Sequence, residues 1–132
     1  MKIALDVMGG DHAPAAMIEG AMLALEDSGI DVEKLFLVGD ETAVEEELSC
    51  LSYAHSKIEV VHSEQVVEMH ESAVKSVRQK KQSSISVAVD LVKSGDCQAV
   101  VSAGNTGAAV AASTIKLRNI PGVERAGIAS PL

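Results

Sequence analysis

Short runs of consecutive apolar residues alternate along the chain with stretches whose apolar positions recur every three or four residues. That is the pattern of parallel strands joined by helices. Lys2 to Val7 reads as a buried strand. After a glycine-rich turn, Ile18, Ala21, Met22 and Leu25 share one face of a helix that opens at about Pro14 and closes at Gly29. Leu35 to Val38 is a second strand, and Thr42 with Glu45 forms a capping box for a helix burying Val44, Leu48 and Leu51. Ile58 to His62 is a third strand. Ile85, Ala88, Val89 and Val92 mark another helix, Gln98 to Ser102 a fourth strand, Thr106 to about Arg118 a further helix ended by Pro121 and Gly122, and Ala126 to Ala129 a last short strand.

The periodicity weakens between Ser63 and Ser84, where Glu64, Glu68 and Glu71 give way to Lys75, Arg78, Lys80 and Lys81. This stretch is expected to be a long excursion, either a loop or a short helix. Four of the 11 basic residues fall within its last part, so it is either an anion site or a solvated helix face.

Composition narrows the class. At 132 residues the chain is expected to be a single α/β domain over residues 1–132. A hydrophobic share of 47% excludes a disordered chain, and with Tyr53 and Phe36 as the only aromatics the core must be built from aliphatic residues and close-packed Ala. A net charge of −8 argues against a nucleic-acid partner. Cys50 and Cys97 are too few and too far apart for a zinc site or a disulfide framework, so no metal is expected and the cysteines read as bystanders. No apolar run reaches the length that crosses a bilayer, and no signal peptide is evident, which points to a cytoplasmic protein.

Two strand-to-helix turns carry the candidate chemistry. In Asp6-Val7-Met8-Gly9-Gly10-Asp11-His12-Ala13-Pro14, Gly9 and Gly10 let backbone approach a ligand at the C-terminal end of a parallel strand. Asp6 and Asp11 there are suited to orienting a base, binding a polar group or holding Mg²⁺, and His12 to acid/base work. The same residues also suit an ordinary capped turn. In Ser102-Ala103-Gly104-Asn105-Thr106-Gly107, small residues expose backbone N–H groups at a helix start and Ser102, Asn105 and Thr106 add side-chain donors, a setting for phosphate or an oxyanion. Close packing of helix on sheet is the competing explanation. No lysine follows these glycines and neither turn has the G-x-G-x-x-G spacing, so no nucleotide cofactor is expected.

Taken in order, these motifs resemble the PlsX phosphate acyltransferases. The opening Asp6 to Pro14 run is similar to that family's N-terminal signature, and Glu59-Val60-Val61-His62 leads into Met69-His70-Glu71-Ser72 as it does there. Arg78-Gln79-Lys80-Lys81-Gln82-Ser83-Ser84 resembles the family's Arg-x-Lys-Lys-x-Ser-Ser run, and Val101 to Ala108 its most distinctive turn; Ala73 stands where many members carry proline.

The resemblance implies a three-layer, mostly parallel, Rossmann-like sheet with helices on both faces, as in the isocitrate and isopropylmalate dehydrogenases. This chain would form only the N-terminal part of a longer enzyme. It implies transfer of an acyl group from acyl-acyl-carrier-protein to inorganic phosphate, giving acyl-phosphate that a membrane acyltransferase then uses in phospholipid synthesis. A full-length homodimer, cytoplasmic and peripherally membrane-associated, is implied too. On this reading Asn105, Lys81 and His12 are the catalytic candidates. Gly9, Gly10, Asp11, Arg78, Ser83, Ser84, Ser102, Gly104, Thr106 and Gly107 are the candidates for binding phosphate or substrate. The alternatives are a related dehydrogenase or acetyl-phosphate-forming enzyme, and a non-catalytic fragment or binding module of the same fold.

Overall fold

In the computed structural model, residues 1–27, 29, 31–51 and 56–129 are described. Four strands, β1 (Lys2–Asp6), β2 (Lys34–Gly39), β3 (Ile58–His62) and β4 (Ala99–Ser102), form one parallel sheet in the order β3-β2-β1-β4. The connecting helices are α1 (Ala15–Glu26), α2 (Glu41–Cys50), α3 (Ala73–Gln79), α4 (Ser84–Ser94) and α5 (Thr106–Lys116).

Period-two alternation in the central strands sorts side chains onto two faces. Leu5, Val7, Leu35 and Leu37 pack against Ile18, Ala21 and Met22 of α1 and Val44 of α2. Ala4, Phe36 and Val38 point the other way, onto Ala88 of α4 and Cys97. α5 lies against α4 and α3, where Ala108, Ala111 and Ala112 meet Val67, Val77, Ile85 and Val89. Its small side chains permit that close approach. The result is the expected three-layer α/β arrangement with helices on both faces.

Three local expectations change, and the excursion after β3 takes the short-helix form of the two expected for it. α2 is capped by Asp40, whose Oδ1 accepts from Ala43 N at 2.9 Å, and not by a Thr42–Glu45 box, because the helix begins one residue before Thr42. Leu51 is the C-cap of that helix and stays exposed. Residues 126–129 form no strand and are exposed, and the outer edge of β4 stays unpaired among the described residues.

Candidate functional site

Asp6 ends β1 and lies in register with Ser102 at the end of β4, so both side chains leave the sheet on the α4 face. Ser102 Oγ donates to Asp6 Oδ2 at 2.7 Å and accepts from Gly104 N at 3.1 Å, which bends the second turn back over the strand ends. The two turns touch there. A Cβ on Gly9 would lie 2.8 Å from Gly104 N and 2.9 Å from Asp6 Oδ2, so that contact requires glycine. Gly10, at φ 109°, carries the backbone past Ala103.

Beneath this crossing is a cleft of about 10 Å³, room for one small polar group, lined by Asp6, Gly9, Val66, Val67, Ser84, Ile85, Ser102, Asn105 and Ala108. Two helices of 11 residues each start here: α4 contributes Ser84 and Ile85, and α5 contributes its cap Asn105 and Ala108. The positive ends of two helix dipoles therefore converge on one cleft. The start of α4 is also buried and lacks a side-chain cap, although the Ser84 N–H donates to Gln65 O at 3.0 Å. Ser83 makes no cap hydrogen bond, and Ser83 Oγ and Ser86 Oγ are buried without a partner among the described residues. Asp6 Oδ1 shares that condition.

Asn105 has a firm structural employment. Its Oδ1 accepts from Ala108 N at 3.0 Å, capping α5, while Nδ2 donates to the carbonyls of Glu68 at 3.2 Å, Met69 at 3.1 Å and Glu71 at 3.3 Å. The side chain thus fastens the preceding loop to the helix start. Gly107 is explained by packing, since a Cβ there would meet Ala73 Cβ at 2.9 Å. Thr106 is exposed.

His12 and Asp11 lie outside the cleft. Both are exposed, on a shallower groove of about 240 Å³ shared with Gly9, Gly10 and Ala103, and His12's imidazole has no partner among the described residues. Arg78 and Lys81 are exposed, make no ion pair among the described residues, and do not line the cleft. The basic run's integrated cation is Lys80. It pairs with Glu71 and donates to Val66 O at 2.7 Å, and Glu71 Oε2 accepts from Ser76 Oγ at 2.6 Å. The hydrogen bonds from Lys80 first, and from Ser76 second, hold the Glu71 carboxyl below the ordinary glutamate range. Sequence reasoning grouped Lys80 with its neighbours and left Ser86 and Val67 out. No spacing in the sequence singles out Lys80, which is the C-cap of α3 and lies outside its helical turns. Among the described residues no cluster of three or more His, Cys, Asp or Glu side chains is arranged to hold a metal, and no helix is long and apolar enough to cross a membrane.

Residues 1–132 match the protein family described as Fatty acid synthesis protein. The chain belongs to that family. It is 56% identical over 132 residues to a phosphate acyltransferase of Akkermansia muciniphila, an alignment covering 100% of this chain and 38% of that protein. Against the phosphate acyltransferase of Citrifermentans bemidjiense it is 48% identical over 129 residues, covering 98% and 36%, and against that of Clostridioides difficile 39% over 132 residues, covering 100% and 38%. The chain thus spans less than two-fifths of the length of these relatives, within their N-terminal part.

Proposed function

We propose that this chain is the N-terminal part of a phosphate acyltransferase that converts acyl-acyl-carrier-protein and inorganic phosphate into acyl-phosphate. The convergence of the α4 and α5 N-termini on one small cleft, lined by Asp6 with its Oδ1 left unpartnered among the described residues, is the observation that supports this reading most. The relatives' shared name supports it independently.

Phosphate is already an anion at neutral pH, so the reaction needs no side-chain nucleophile. It needs the phosphate held against the thioester carbonyl and the negative charge on that carbonyl stabilised as it forms. Helix N-termini supply donors without carrying a mobile charge of their own. Gly9, Gly104 and Ser102 shape the cleft, Ser83 and Ser84 offer hydroxyls at the start of α4, and Asn105 positions the wall. Asp6 Oδ1 is an acceptor, which monohydrogen phosphate satisfies through its hydroxyl and fully ionised sulfate does not. Arg78 and Lys81, exposed and outside the cleft, suit the acidic carrier protein better than a phosphate that places one oxygen in the cleft. His12 and Asp11, on the adjoining groove, are placed to meet the acyl thioester as it approaches.

Full-length homodimerisation, cytoplasmic location with peripheral membrane contact, and onward use of acyl-phosphate by a membrane acyltransferase complete the reading. Its test is release of carrier-protein thiol by the full-length enzyme with and without inorganic phosphate. Thiol release that depends on phosphate, with acyl-phosphate as product, is expected; phosphate-independent release would reject it.

A further inference from the structure

The segment 65–71, between β3 and α3, is held by its carbonyl groups. Lys80 Nζ takes Val66 O at 2.7 Å, and Asn105 Nδ2 takes the carbonyls of Glu68, Met69 and Glu71. Gln65 faces the other way, its N–H donating to Gln82 O at 3.2 Å and its carbonyl accepting from Ser84 N at 3.0 Å. Successive residues of an extended backbone turn their polar groups to alternate sides. Gln65 bonds toward the start of α4 and the Val66 carbonyl faces Lys80, so the Val67 N–H, anti to that carbonyl in the same trans peptide unit, points away from Lys80. Val67 is only 8% exposed, it lines the cleft with Ser84 and Ile85, and its N–H donates to no acceptor among the described residues. A backbone N–H on so little-exposed a residue is expected to find a partner, whether from the chain, water or a ligand.

We propose that the Val67 backbone N–H is an oxyanion donor for acyl transfer and that Lys80 is the positioning residue that aims it. The proposal rests on the reading of the cleft as the acyl-transfer site. In that reaction a phosphate oxygen bonds to the thioester carbon and the carbonyl π pair moves onto oxygen. The C=O then re-forms, the C–S pair leaves with the carrier thiolate, and that thiolate takes a proton from water. A donor fixed over the carbonyl oxygen favours the tetrahedral species over the planar thioester, so it acts on turnover and not on phosphate affinity. Lys80 acts through the peptide unit: by drawing the Val66 carbonyl to itself it turns the N–H of the same trans-planar unit, which belongs to Val67, in the opposite direction. Glu71 holds the ammonium in place.

The test uses the full-length enzyme. Lys80→Met should lower kcat at least ~10-fold while the phosphate KM stays within about twofold, and Lys80→Arg, which keeps a donor, should recover most of the loss. An unchanged kcat in Lys80→Met, or a loss confined to phosphate KM, overturns the proposal. A second measurement needs no variant. On saturation with a β-ketophosphonate, in which a methylene replaces the bridging oxygen of acyl-phosphate, the Val67 amide proton should move downfield and its exchange slow at least ~10-fold, as a newly bonded amide does. No change at that amide also overturns it. Failure of the unmutated enzyme to use phosphate would instead sink the underlying reading, so the two failures are distinguishable.

Discussion

Asn105 carries an acceptor and a donor that face opposite structural demands, and substitutions separate them. Asn105→Ala removes the cap and all three carbonyl contacts, and should cost at least about 1 kcal/mol from the cap alone. Asn105→Asp keeps the acceptor for Ala108 N but sets a carboxylate oxygen against the carbonyls of Glu68, Met69 and Glu71. Those carbonyls raise the folded-state pKa of the new acid. Its deficit relative to the parent should therefore be small in acid and grow as pH rises, as thermal melts from about pH 3 to 7 would register. A constant deficit would mean the loop simply moves away. Glu71 has the opposite sign. Its lowered pKa makes its contribution fully present above the ordinary glutamate value of about 4.3, and lost as pH falls through the lower folded value. Glu71→Gln should accordingly melt below the parent at neutral pH and converge with it in strong acid. At Asp6 the readout is selectivity. In the full-length enzyme sulfate should compete poorly with phosphate, and Asp6→Asn, which adds a donor, should narrow the gap; equal inhibition by sulfate in both would remove Asp6 from phosphate recognition.

At the scale of elements, the strand-to-helix crossings of the two glycine turns decide whether β1 and β4 can end side by side. Gly9→Ala forces a Cβ to within 2.8 Å of backbone that cannot swing away, and should destabilise by about 1–3 kcal/mol in a denaturant titration. Gly20→Ala in α1, where an added Cβ meets nothing within 4 Å, is the control and should be neutral or stabilising. Sequence pattern exposes much of this architecture. Aliphatic runs at residues 2–7, 35–38, 58–62 and 98–102 mark every strand, because a parallel strand covered on both faces has few polar positions to confuse the reading. α3 was not legible as a definite helix, since a seven-residue element with exposed Val74, Lys75 and Arg78 has no clear apolar stripe, although Ala73 sits at its first position, where proline is also favoured. The turns were legible as turns, with Gly9, Gly104, Ser102 and Asn105 all placed at the crossing. What Asn105 and Lys80 grip was not, because carbonyls some 36 and 14 residues away are brought near only by the fold.

Considered whole, the molecule has one unfinished side. Val101 is 50% exposed on β4, whose outer edge is unpaired among the described residues, and beside it an apolar groove of about 230 Å³ runs past Leu5, Met17, Leu25 and Leu35. Unpaired edges of this kind recruit other strands. The isolated 132-residue chain should therefore self-associate with rising concentration in sedimentation, and Val101→Lys should suppress it. A chain that sediments as a monomer at every concentration would show that the edge is protected. The other face of the sheet is covered by α4, and of the two free thiols only one lies beneath it. Cys50 stands exposed at the end of α2, while Cys97 is buried under α4, its thiol pushed up by that burial and secondarily by Asp96. A thiol reagent applied to the native chain thus has one immediate target and one locked target, and the lag before the second is consumed becomes a clock for how often α4 lifts from the sheet.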